Sequence, residues 1–129
     1  MSYDRADWHY GGEFPSDLPR ENGATHIGIY LGWALRRGLA GELHVEESEE
    51  GLADLRAGRI SGREFLIEQC DEKFTEEDLN DEGNAFTEAY YDEDYINDYL
   101  DCLDADDAAE TVYHIANSPE NQARMEAVL

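Results

Sequence analysis

Four histidines and two cysteines are the residues of this chain best suited to metal or acid–base chemistry, and none of them falls in a recognised pair. His9, His26, His44 and His114 are scattered singly, without the HxH or HExxH spacing that sets two imidazoles on one face. His9 lies in Trp8-His9-Tyr10-Gly11-Gly12, where aromatic and glycine residues more often anchor an arm than form a site. A centre built from His9, His26 and nearby carboxylates requires the fold to bring them together. That is the rival reading of the chain: a small metal-binding or ligand-binding domain, or an enzyme. Cys70 and Cys102 lack CxxC spacing, and their apolar neighbours predict buried free thiols. Cys70 beside a distant histidine could imitate a nucleophile, but an inert thiol is the expectation.

Asp78-Leu79-Asn80-Asp81-Glu82-Gly83 has oxygen ligands at alternate positions before a glycine, as a calcium loop does. The twelfth position should hold a bidentate glutamate and holds Ala89, with Glu88 one place early. The eighth, normally apolar and β-branched, is Ala85. The pattern fails. Walker, GxGxxG, GxSxG and paired zinc-ligand motifs are absent as well, so catalysis has no positive signal and no cofactor or metal is expected.

Charge carries the strongest message. The 129 residues include 32 acidic and 9 basic side chains, a formal net charge of −23, when magnitudes of roughly 2 to 8 suit a small domain. Such a surface repels nucleic-acid phosphate and anionic membranes, and steers a cationic partner toward it. Residues 71–110 hold 17 acidic residues against the single Lys73, a skew that a proteome-wide acidity would not produce by itself. Asp94, Asp98 and Asp101 recur at helical spacing away from an apolar stripe, and with Asp92 and Glu93 they predict a negative ridge. Interface hot spots are aromatic or Arg, so Tyr90, Tyr91 and Tyr95 at its edge join the predicted partner-binding set.

The elements that must position these groups are short. Hydrophobic residues at 41% and aromatics at 11% are enough for a real core in one domain spanning 1–129. Residues 1–23 read as an irregular aromatic arm. Ile27, Tyr30, Leu31, Ala34 and Leu35 follow a helical period and mark a central buried helix, with Gly28 and Gly32 available for close approach. Arg36 and Arg37 suit its last turn and Gly38 the left-handed position after it. Further helices are predicted from Ser48 to Ala57, from a Ser61/Glu64 capping box to Cys70, from Thr75 to Gly83, and from Asn84 to Tyr91. Asp94 is expected to cap Tyr95–Leu103, and Ser118-Pro119-Glu120 to open a last helix. Val112–Ile115 fits a strand or a helical turn. The predicted fold is mainly α: about six short helices around a central apolar one. With no signal peptide and no apolar run of membrane length, the expected compartment is the cytoplasm.

The segments WHYGG, ENGATHIG and EDLNDEGNAF, with the Tyr-rich YYDEDYINDYL, resemble a family of small acidic bacterial proteins that share a domain of unknown function. The resemblance spans most of the chain and implies no activity for any residue. By type, small acidic single-domain proteins of this kind are also similar to immunity proteins of polymorphic toxin systems. The function expected from the sequence is therefore that of an immunity-type protein. It would occlude the basic cleft of a cognate toxin, one acting on nucleic acid or nucleotides, with the acidic ridge. A regulatory or scaffold protein with incidental acidity is the third reading.

Overall fold

The fold is known from a computed structural model that describes residues 2–10, 19–103, 115 and 117–129. It is mainly α. The elements are strand β1 (Ser2–Arg5), a single turn α1 (Asp7–Tyr10), a 3-10 turn (Arg20–Ala24) and helix α2 (Thr25–Arg36). There follow α3 (Glu42–Glu47), α4 (Glu49–Arg56), α5 (Gly62–Gln69), strand β2 (Lys73–Thr75) and a 3-10 turn (Glu76–Asp78). Helix α6 (Asp81–Tyr90) runs through a π turn (Tyr91–Tyr95) into α7 (Ile96–Leu103), and α8 (Pro119–Val128) ends the chain.

Helix α2 is the axis of the core: every residue from Thr25 to Leu35 is buried. Its two glycines explain how it accepts neighbours on all sides. A Cβ at Gly28 would run into the backbone of Arg63, and one at Gly32 would lie 3.3 Å from the Cα of Gly62. Helix α5 therefore packs backbone to backbone against α2, and the Arg63 guanidinium donates to Thr25 Oγ1 at 3.2 Å. The helix stops as expected, with Gly38 at φ 87° just past its end.

The capping signals of α5 and α8 work as their residues suggest. Ser61 accepts from Glu64 N–H while the Glu64 carboxylate accepts from Ser61 N–H, and Ser118 accepts from Asn121 N–H before Pro119. Other expectations need correction. The N-terminal arm is not irregular throughout: β1 pairs antiparallel with β2, setting Asp4 opposite Phe74 and Arg5 opposite Lys73. The pairing spans about seventy residues of chain, a non-local contact that no local pattern announces. The segment after Thr75 is two elements rather than one helix. Thr75 caps only the 3-10 turn, and Asn80 restarts the chain by accepting from Gly83 N–H inside α6. Ser48 makes no cap hydrogen bond for α4. Asp94 caps nothing, because the chain stays helical through the π turn. Val112–His114 lie outside the described residues.

The π turn matters for the core. A widened turn of this kind is commonly found at functional sites, and here it carries YDEDY. Tyr91 and Tyr95 stack at 5.0 Å and point inward, each packing edge-on against Tyr30 at 4.8 and 4.9 Å. Tyr95 donates to the His26 carbonyl at 2.6 Å, and Tyr30 shares a hydrogen bond with Thr87 Oγ1 at 2.8 Å. This aromatic cluster is the wall against which the site is built. No helix among the described residues is long and apolar enough to cross a membrane.

Candidate functional site

The structure brings three chemistry-bearing residues together from three elements: Asp4 of β1, His9 of α1 and His26 of α2. Strand pairing sets the position of Asp4, and Ala6 N–H, which donates to Glu72 O at 3.0 Å, holds the turn that follows. The chain then reverses into α1, which returns His9 to the same carboxylate. His26 comes from the first turn of the buried helix. Asp4 Oδ1 lies 2.7 Å from His9 Nε2, and Oδ2 lies 3.3 Å from His26 Nε2. Tyr91 donates its hydroxyl to Oδ2 at 2.8 Å. The imidazoles meet edge to face with centroids 4.5 Å apart.

Burial alone would raise the Asp4 carboxyl, but hydrogen bonds from His26 and His9 hold it well below the usual carboxylate range. His26 moves down instead, because burial outweighs the attraction of Asp4. Asp4 is thus an anion, and His26 favours its neutral, ligating form. Donor atoms of the three residues all lie within 4.8 Å of one another, the separation at which one ion can engage all of them. A cavity of about 220 Å³ opens over them, lined also by Tyr3, Trp8, Tyr91, Asp92, Tyr95 and Ile96. Trp8 is exposed at its mouth beside the Arg5 guanidinium. Two imidazoles and a carboxylate at the floor of an open pocket are a donor set for a borderline divalent metal, with room for water or a small ligand.

The predicted partner-binding residues divide between exposed and buried positions. Asp92, Glu93, Asp94 and Asp101 are exposed. Asp98 is half-buried and accepts the Tyr90 hydroxyl at 2.6 Å. Tyr91 and Tyr95, expected at the ridge edge, are core residues: both face the aromatic cluster, and Tyr91 serves Asp4. Tyr90 is half-buried against Phe86. The rival pair His9 and His26 is brought together; the residue missed was Asp4, whose one available signal was a carboxylate five positions before His9.

A second cluster had no signal as a group. His44 Nε2 lies 2.7 Å from Asp78 Oδ1 and 3.6 Å from Cys70 Sγ, with His44 and Asp78 buried and Cys70 half-buried. Burial, followed by the Asp78 charge, pushes the Cys70 thiol far up. Both partners meet the same ring nitrogen, whereas a nucleophilic triad uses the two nitrogens separately. Cys70 is not an activated thiol here. Asp78, first residue of the calcium-like stretch, is committed to His44 and to Thr75 N–H.

Fold and site together define a small, mainly α, acidic domain with a histidine–carboxylate cluster under an open pocket. The chain belongs to the family described as Domain of unknown function (DUF7832), whose model matches residues 2–115. No curated protein and no solved structure matches it.

Proposed function

We propose that the protein binds a borderline divalent metal ion, such as zinc or ferrous iron, through Asp4, His9 and His26. The pocket above would admit the water or small ligand that completes coordination. One observation carries this reading: three residues from separate elements converge within 4.8 Å at the floor of a pocket that reaches solvent. Three protein ligands with an open position is the arrangement of reactive rather than purely structural metal centres. Tyr91 supports it as an outer partner that fixes Asp4 through a hydrogen bond. The test is calorimetric titration of metal-stripped protein with zinc, in excess magnesium to silence surface carboxylates. His9→Gln, at a partly exposed position, is expected to lose at least about tenfold in affinity at one site. Equal affinity of wild type and His9→Gln would refute the assignment.

A second reading is the immunity-type one, supported by the exposure of Asp92, Glu93, Asp94 and Asp101 on one helical stretch. In it the acidic surface meets a basic toxin cleft. Reversing those four charges should slow association and flatten its salt dependence. Unchanged capture of a basic partner by the reversed variant would remove this reading.

A further inference from the structure

We propose a second, structural metal site at His44, Cys70 and Asp78, one that takes a thiophilic divalent ion such as zinc. It is independent of the Asp4 cluster. The three side chains come from α3, from the C-terminal cap of α5 and from the 3-10 turn after β2, so an ion there would tie three elements together.

The geometry is that of ligands converging on one point. Sγ and Oδ1 both address His44 Nε2, and donor atoms of all three residues lie within 4.8 Å of one another. In a tetrahedral zinc centre, sulfur and nitrogen ligands stand roughly 3.5 Å apart. The Cys70–His44 distance of 3.6 Å already meets that. The His44–Asp78 contact of 2.7 Å must open by roughly 0.7 Å to reach the nitrogen–oxygen edge.

Outer partners are also present. His44 Nδ1 lies 3.2 Å from Ser48 Oγ, and Thr75 N–H donates to Asp78 Oδ2 at 2.7 Å, leaving Oδ1 to the ion. A hydroxyl suits both states, because it donates to Nδ1 when Nε2 carries the hydrogen and accepts from Nδ1–H when Nε2 binds metal. Ser48 thus has a use that its failure to cap α4 leaves otherwise unexplained. Binding transfers the Cys70 thiol proton to solvent as the sulfur–metal bond forms, and the His44 proton moves from Nε2 to Nδ1. The half-buried side of Cys70 gives the ion a route in, and a water there completes four ligands.

Cobalt(II) added to the metal-free full chain reads this site alone, since the Asp4 cluster contains no sulfur. A sulfur-to-cobalt charge-transfer band saturating at one ion per chain is expected. It should persist in Cys102→Ser and in His9→Gln and vanish in Cys70→Ser, with circular dichroism confirming that the last remains folded. Ser48→Ala should keep the band while weakening affinity by about 10- to 100-fold. No band in the wild type, or a band lost in Cys102→Ser and kept in Cys70→Ser, would overturn the proposal.

Discussion

Asp4 shows how much one residue decides. It is 7% exposed, yet charged, because two imidazoles and a tyrosine hydroxyl surround it. Asp4→Asn keeps the shape but removes the charge from the contacts with His9, His26, Tyr91 and the Arg5 N–H. Urea denaturation should show a loss of about 1–3 kcal/mol. Asp92→Asn, on the exposed rim of the same pocket, should stay within about 0.5 kcal/mol of wild type. If the two variants are equally stable, the Asp4 network does not hold the site as described. His9 and His26 were legible as candidates from residue type alone. Their carboxylate was not, because Asp4 is one of 32 acidic residues and only strand pairing distinguishes it.

At the scale of elements, local signals were sound wherever they acted locally. The Ser61 capping box, the Ser118-Pro119 start and the glycine ending α2 depend on neighbours within a few residues, and each forms. Gly28 and Gly32, spaced four apart in an apolar run, suggested close approach and provide it. Gly28→Ala should therefore cost about 1–3 kcal/mol through overpacking against the α5 backbone, where alanine would otherwise favour a helix. A thermal midpoint at or above that of wild type would show that α2 and α5 are not so close. The signals that failed met competitors, one of them near in sequence and one far. Ser48 turns to His44 instead of capping α4, and the π turn, held by Tyr91 and Tyr95 in the core, leaves Asp94 no helix start to cap.

The whole molecule balances an aromatic core against a charge of −23. Burial pushes the Tyr30 hydroxyl up to about 12 and holds Tyr95 well above its ordinary value. Unfolded tyrosines ionise near about 10. Between about pH 10 and about pH 12 the unfolded chain sheds protons that the folded chain keeps, so stability falls as pH rises through that window. Below it the contribution is fully present. Alkaline titration should show tyrosinate absorbance appearing together with loss of helix; tyrosinate forming fully in a still-helical protein would contradict the buried cluster. Self-repulsion predicts the opposite lever: sodium chloride should raise the melting temperature as it screens the acidic surface. A melting temperature indifferent to salt would mean that the exposed carboxylates are too dispersed to strain the fold. Composition made this scale the most legible of the three, since charge and aromatic content need no knowledge of contacts.

Asp4, His9 and His26 are the proposed ligands of a metal ion. The most direct measurement is anomalous diffraction at the zinc edge from crystals of Cys70→Ser protein grown with equimolar zinc and excess magnesium. One dominant peak is expected within bonding distance of His9 Nε2, His26 Nε2 and an Asp4 oxygen. Peaks confined to surface carboxylates, with the Asp4 hydrogen bonds intact, would contradict metal binding by these three residues.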